Sequence, residues 1–163
     1  GARMQTENTV DMAADLHRIV ALAADVERWP VILPHYRRVT LLAGGGDRKT
    51  VEMAARRGRI PVRWRAVQEI ERSNGSPVIR YRHIGGVTKG MEVAWTFAPI
   101  DGGQRVRIDH DFNPSWPFVG KPIADGVIGP HFVAAIASRT LNTIKGIVED
   151  RDPRFDPDGR PRT

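Results

Sequence analysis

Hydrophobic and polar residues change their spacing several times along the chain, and each spacing predicts an element. Alternation of apolar and polar residues over 6–12, with Val10 and Met12 on one face, predicts an opening strand. Apolar residues then recur three and four positions apart over residues 14–24, which predicts an amphipathic helix. Pro30 and Pro34 follow, and they permit a short second helix that starts near the first proline and ends at the second.

Alternation returns in the middle of the chain, in six segments separated by turn residues. Asn74-Gly75 is a pair typical of a tight hairpin turn, and Gly44-Gly45-Gly46-Asp47 is another turn sequence. Short strands at even spacing, joined by hairpins, predict an antiparallel meander. The predicted strands cover residues 38–43, 49–57, 60–72, 78–84, 91–98 and 104–112.

Helical spacing returns near the end of the chain and continues for about four turns. The apolar positions of this predicted helix are Val133, Ile136, Ala137, Leu141, Ile144, Ile147 and Val148. The fold class is therefore α+β, with about seven strands in the order β-αα-β6-α. We expect the sheet to curl around the long C-terminal helix and to leave an interior cavity. The expected domain is 5–150, with an N-terminal extension or tag remnant at 1–4 and a polar Pro/Arg/Asp tail at 151–163.

The alternation also assigns the inner face of the sheet, which is mostly apolar but carries four polar side chains. These polar side chains are Gln68, Tyr81, His83 and His110. A buried polar group without a partner costs about 1–3 kcal/mol, so each needs a partner in the protein, a water or a ligand. For any one of these residues, a hydrogen-bond partner within the protein is the simpler explanation. Four together beside Trp64 and Trp95 favour a ligand pocket.

Composition narrows the class of protein. The 163 residues include no cysteine, which excludes disulfides, thiolate metal sites and cysteine nucleophiles. The five histidines lack metal-binding spacing, so we expect no metal and no cofactor. No apolar run approaches the ~20 residues of a membrane-spanning helix, so we expect no stable membrane insertion. The N-terminus lacks the apolar core of a signal peptide, and we expect a cytoplasmic protein.

The net charge is +6, from 25 Lys+Arg and 19 Asp+Glu, and arginine makes up most of the cations. Arginine binds phosphate well, but the sequence contains no helix-turn-helix, ribonucleoprotein or zinc-finger signature, so we expect no nucleic-acid partner. Alternation places many arginines on the outer face of the sheet, interleaved with acids. These outward arginines are Arg63, Arg65, Arg80, Arg82, Arg105 and Arg107, and they suit solubility or an acidic partner.

Several motifs resemble one known family. Trp29-Pro30 and Pro34-His35-Tyr36 on the second helix, Trp64 and Trp95 on strands, and residues 144–150 resemble the polyketide cyclase/dehydrase group. This aromatase/cyclase-like group belongs to the START-like helix-grip (SRPBCC) superfamily, and the likeness covers residues 5–150. Coenzyme Q-binding proteins of that superfamily share an aromatic-Pro-x-x-x-Pro pattern like residues 29–34.

The resemblance implies a helix-grip fold whose cavity folds a poly-β-ketone, closes it by an aldol step and removes water. It matches Tyr36 to the family's tyrosine and Trp64 to its cavity tryptophan. The family's arginine would fall at Gln68, which can donate only a neutral hydrogen bond. The resemblance also implies an acyl carrier protein docked on the basic surface.

These considerations give an expected site. The expected catalytic residues are Tyr36 and His110 as proton carriers, and Gln68 to orient a carbonyl. The expected substrate-binding residues are Trp29, Trp64, Tyr81, His83, Trp95, Phe97, Phe112 and Trp116. The apolar loop within 112–122 is expected to be a lid or a dimer contact, and the protein a monomer or homodimer.

Three functions stay open on the sequence. The first is a cyclase/dehydratase acting on a polyketide-like ligand. The second is a non-catalytic carrier or chaperone for a lipid or quinone. The third is a filled core with only an interaction role, because one fold hosts many functions.

Overall fold

The structure is a computed structural model that describes residues 4–72, 75–86, 88–112 and 130–163. Its strands are β1 (Met4–Met12), β2 (Tyr36–Gly45), β3 (Arg48–Arg57), β4 (Ile60–Glu71), β5 (Val78–Gly86), β6 (Met91–Ile100) and β7 (Gly103–Phe112). Its helices are α1 (Leu16–Ala24), a 3₁₀ turn (Val26–Arg28), α2 (Trp29–Ile32) and α3 (Pro130–Val148). The predicted β-αα-β6-α order is confirmed.

All seven strands form one curved antiparallel sheet in the order β1-β7-β6-β5-β4-β3-β2. The strands from β2 to β7 follow one another as hairpins, and β1 closes the far side by pairing with β7 from Met4↔Phe112 to Met12↔Gln104. Register shifts interrupt the β2–β3 ladder and the β4–β5 ladder, the latter between Arg65 and Ala66. Such irregularities bend a strand and increase its twist, which helps the sheet curve around α3.

The predicted inner face is confirmed, because the apolar side chains of alternate positions are buried. Ala66, Ile79 and Ile108 are at most 2 % exposed. They pack with the apolar stripe of α3, of which Leu141 and Ile144 are fully buried. Burying such surface is worth about 25 cal/mol per Å², so this face against α3 is the main source of the fold's stability.

The α1–α2 region brings an aromatic residue to the core. Asp15 caps α1 by accepting a hydrogen bond of 2.9 Å from the Arg18 backbone N–H. Pro30 lies in the first turn of α2, where its missing N–H is not needed. The indole Nε1 of Trp29 donates to the Leu22 carbonyl at 3.2 Å, which ties the short helix back onto α1. In the described part of the chain, no helix is long and apolar enough to cross a bilayer.

The segment after α3, which its composition suggests is a tail, lies against α1. Phe155 is 5 % exposed and belongs to the core cluster. Gly159 has a positive φ of 81° and packs so closely on Leu22 that an added Cβ would lie 2.7 Å from Leu22 Cδ1. Arg28 donates a hydrogen bond to the Gly159 carbonyl, and Arg18 pairs with Asp158. One phenylalanine among charged residues therefore anchors this segment, which composition alone does not reveal.

Candidate ligand-binding site

A pocket lies between the inner face of the sheet and α3. It contains about 90 Å³ of space for the centres of water-sized molecules, where one water needs about 10–15 Å³ on the same measure. Most of its lining is aliphatic and aromatic. Its polar lining residues are Tyr36, Tyr81, His83, Thr88, His110 and Thr140. A mainly apolar pocket with a few polar groups is the usual form of a small-molecule site.

A continuous row of rings forms one wall of the pocket. The Trp95 and Trp29 ring centroids are 6.0 Å apart, and those of Trp29 and Tyr36 are 5.1 Å apart. Tyr36 meets Trp64 edge-on at 6.2 Å, and Trp64 stacks on His83 at 6.0 Å with only 12° between the rings. Rings at these separations attract one another beyond their buried area, and most of them pack tilted or edge-on rather than in one plane.

His83 is held as a neutral side chain. Its Nδ1 lies 2.6 Å from the Thr88 hydroxyl, and both residues are buried. Burial, with a smaller contribution from the nearby His110, lowers the pKa of His83 to about 3. With one ring nitrogen engaged by Thr88 and one face covered by Trp64, His83 serves as a fixed part of the wall.

His110 lines the pocket and carries a buried polar atom without a partner among the described residues. It lies on β7 between Thr6 of β1 and Val93 of β6. Its Nδ1 is buried and has no hydrogen-bond partner among the described residues. Burial lowers the pKa of His110 to about 4, so the imidazole is neutral near pH 7. A neutral imidazole can accept a hydrogen bond or a proton at its unprotonated nitrogen.

The Tyr36 hydroxyl is bonded to Thr140 of α3. Thr140 spends its single hydroxyl proton on the Ile136 carbonyl at 2.8 Å, so it accepts from Tyr36. His35 Nε2 also lies 3.4 Å from the Thr140 oxygen. Burial raises the pKa of Tyr36 well above its usual value. The phenol therefore stays protonated and fixes the position of the ring.

Gln68 lies behind the pocket rather than in its lining. It is fully buried, and its Nε2 donates to the Ala24 carbonyl and to the Tyr81 hydroxyl, both at 2.9 Å. Both amide protons are thus engaged in joining the end of α1 to β4 and β5. Burial raises the pKa of Tyr81, despite the opposing effect of the hydrogen bond from Gln68.

The structure brings most of the expected site residues together. Seven of them line the pocket: Trp29, Tyr36, Trp64, Tyr81, His83, Trp95 and His110. Gln68, Phe97 and Phe112 are buried but are not lining residues, and this departs from the expectation. Phe97 lies one inward position beyond Trp95 on β6, closer to the turn between β6 and β7. Trp116 and the loop after Phe112 lie outside the described residues.

Comparisons with known proteins give the family. The family model described as "Polyketide cyclase / dehydrase and lipid transport" matches residues 3–149. The chain belongs to this family. The predicted family is therefore confirmed. The curved sheet with its C-terminal helix is the predicted helix-grip fold.

One characterised relative and two solved structures illustrate the likeness. The granaticin polyketide synthase bifunctional cyclase/dehydratase of Streptomyces violaceoruber is 28% identical over 109 residues. That match covers 66% of this chain and 34% of the relative, so the chain spans about a third of that protein. The Zhui aromatase/cyclase of Streptomyces sp. R1128 has a TM-score of 0.68 at 18% identity, covering 90% of this chain and 96% of that one. A STAR-related lipid transfer protein from Xanthomonas axonopodis has a TM-score of 0.67 at 13% identity, with 87% and 84% covered.

Within this polyketide cyclase/dehydrase and lipid-transport fold, α3 supplies site residues that the sequence reasoning missed. Thr140 bonds Tyr36, and Phe132 and Ile136 line the pocket. Thr140 lies three positions after Ala137 and four before Ile144, within the apolar stripe of the helix. A hydroxyl at a core-facing helical position is the signal that could have identified it. Thr88, in the turn before β6, had no such signal.

The described residues give no sign of a metal centre. No group of three or more histidine and acidic side chains among them is arranged to hold an ion.

Proposed function

We propose that the chain binds a hydrophobic or polyketide-like small molecule in the pocket between the sheet and α3. The observation that carries the proposal is the buried Nδ1 of His110, unpartnered among the described residues, next to a wall of aromatic rings. A flat ligand gains about 25 cal/mol for each Å² of apolar surface it buries. A hydroxyl or carbonyl of that ligand satisfies His110 and sets its orientation.

We further propose that His110 is the proton carrier of a cyclisation and dehydration. Neutral His110 takes a proton from a carbon between two carbonyls, and the resulting enolate attacks another carbonyl of the same ligand to form the new C–C bond. The protonated imidazole returns that proton to the new alkoxide and becomes neutral again. It then takes the second proton from the same carbon and delivers it to the hydroxyl, which leaves as water as the C=C bond forms. Tyr36 is given no such role in this proposal, because burial keeps its proton in place despite the opposing effect of the hydrogen bond with Thr140.

A second candidate function is a non-catalytic carrier of a lipid or quinone. It is favoured by the position at which the family resemblance implies an arginine, because Gln68 stands there with both amide protons engaged. The described pocket lining contains no lysine or arginine. Among these described lining residues a developing enolate would find no cationic partner, whose contribution is several kcal/mol in sites that have one.

The docking of an acyl carrier protein stays a prediction, and fewer of the outward arginines are free to bind it. Of the outward arginines, Arg80, Arg105 and Arg107 form ion pairs with acids on neighbouring strands or on their own strand. The remaining candidates for an acidic carrier are Arg63, Arg65 and Arg82.

Turnover of a synthetic poly-β-ketone thioester distinguishes the two candidate functions. Mass spectrometry identifies and quantifies the products. A cyclase predicts that His110→Ala lowers the cyclised and dehydrated product by about 100-fold or more, as expected for loss of a general acid–base group. Tyr36→Phe should retain turnover within about tenfold, and the exposed His17→Ala should match the wild type. Wild-type protein that binds the thioester but forms no more product than buffer is a carrier.

A further inference from the structure

The hairpin between β3 and β4 is unusually basic. Residues 53–68 contain five arginines and no acidic residue. Arg56 and Arg59 flank the turn at Gly58, and Arg63 and Arg65 follow on the outer face of β4. All four described side chains are exposed, so one end of the sheet carries a concentrated positive charge.

Several other exposed arginines of the sheet pair with an acid, and Glu52, which lies opposite Arg65, pairs with Arg38 instead. Arg72 pairs with Asp47, Arg80 with Glu71, and Arg105 with Asp11. By contrast, Arg56, Arg59, Arg63 and Arg65 have no ion pair within the described parts of the chain. The register explains this for two of them, because Arg56 lies opposite Pro61 and Arg63 lies opposite Ala54. Their charge is available to an external anion.

An apolar side chain lies at the tip of the same hairpin. Ile60 is 44% exposed, directly after Arg59. The pair Arg57↔Ile60 closes the hairpin, and the pair Ala55↔Val62, two positions further back, lines the ligand pocket. Leaving a large aliphatic side chain in water between cations gives the tip both an apolar and an electrostatic means of attachment.

We propose that this hairpin patch, defined as Arg56, Arg59, Ile60, Arg63 and Arg65, docks the protein on an anionic lipid bilayer. The guanidinium groups pair with lipid phosphates, and Ile60 enters the headgroup region. Charge alone would suit any polyanion, but a reversible bilayer contact needs a second, apolar attachment, which Ile60 supplies. The docked hairpin holds the pocket, whose lining begins just behind the tip, close to the bilayer.

Vesicle binding tests the docking without reference to any pocket ligand. Full-length protein is sedimented with phosphatidylcholine vesicles and with vesicles that contain phosphatidylglycerol. The variants are Arg56→Gln/Arg59→Gln/Arg63→Gln and Ile60→Ser. The charge-matched control is Arg72→Gln/Arg105→Gln/Arg107→Gln. Thermal unfolding confirms that each variant is folded.

We expect binding to the anionic vesicles alone, with partitioning reduced at high salt because exposed charges are screened. The hairpin triple variant should lose about tenfold or more, since each arginine near an anionic surface contributes several-fold. The control should lose less than about threefold, and Ile60→Ser should weaken binding several-fold. Equal binding to both vesicles, or an equal loss in the control, would overturn the proposal. So would an unaffected Ile60→Ser, because an acidic macromolecule would then fit the patch better. Failure of docking would leave the proposed ligand pocket untouched.

Discussion

The side-chain amide of Gln68 donates a hydrogen bond of 2.9 Å to the hydroxyl of Tyr81, while the same nitrogen donates to the Ala24 carbonyl. This contact joins α1 to two strands behind the aromatic wall. It gives Gln68 a structural role at the position where the family resemblance implies a charged residue. The pocket can therefore bind a ligand without any part of Gln68 in its chemical conversion.

Gln68→Leu should destabilise the fold without altering the pocket lining. The substitution leaves the Ala24 carbonyl and the buried Tyr81 hydroxyl without their donor, and we expect a loss of about 2–3 kcal/mol in the free energy of unfolding. Tyr81→Phe, which removes one of these bonds, should cost about 1 kcal/mol. Urea denaturation measures both. The exposed Gln5→Leu is the control, and a Gln68→Leu loss no larger than that of the control would contradict this role.

The buried histidines should make stability depend on pH in the acid range. The pKa of His110 is about 4 in the folded protein against an ordinary value of 6.5, so the unfolded chain binds the proton more readily between these values. Stability is therefore fully present above pH 6.5 and falls as the pH drops toward 4. By about pH 4, protonation of His110 in the unfolded chain has lowered the free energy of unfolding by about 3 kcal/mol.

His110→Asn should flatten that part of the profile. Free energies of unfolding measured at pH 7 and at pH 4.5 give the slope, and the exposed His17→Asn provides the comparison. We expect the free energy of unfolding to differ less between the two pH values for His110→Asn than for His17→Asn. Parallel profiles for wild type and both variants would show that His110 is not desolvated in the fold.

The segment after α3 should contribute to global stability. Phe155→Ala removes a ring that is 5 % exposed in the core, and such a truncation costs about 3 kcal/mol or more. The exposed Arg160→Ala on the same segment should stay within about 0.5 kcal/mol of the wild type. Calorimetric melting of both variants measures the difference. Equal melting temperatures would mean that the segment only rests on the surface of α1.

The sequence predicts the fold well because strand alternation and helical spacing depend on local burial. The faces of β4 to β7 follow directly from that alternation, and so do the inward positions of Trp64, Tyr81 and His83. Alternation does not predict which of the inward-facing residues along a strand reach the pocket. Phe97 and Gln68 point inward like their neighbours, yet they lie beyond the space that α3 leaves open.

Contacts between distant elements were also out of reach of local patterns. The hydrogen bond between Tyr36 and Thr140 joins residues more than a hundred positions apart, so no spacing within one element predicts it. Phe155 packs on the domain through a turn whose charged composition is typical of a tail. Each depends on packing of whole elements rather than on spacing within one.

The central claim is that a ligand occupies the space between the sheet and α3. It is tested by the dissociation constant of anilinonaphthalene sulfonate, followed by fluorescence, for Ala137→Phe and Ala135→Phe. Ala137 lines the pocket, whereas Ala135 is exposed on the same helix. A phenyl ring at 137 takes up much of the space of about 90 Å³, so we expect Ala137→Phe to bind at least about tenfold more weakly than the wild type. Ala135→Phe should stay within about twofold of the wild type. Equal affinities for two folded variants would contradict the claim.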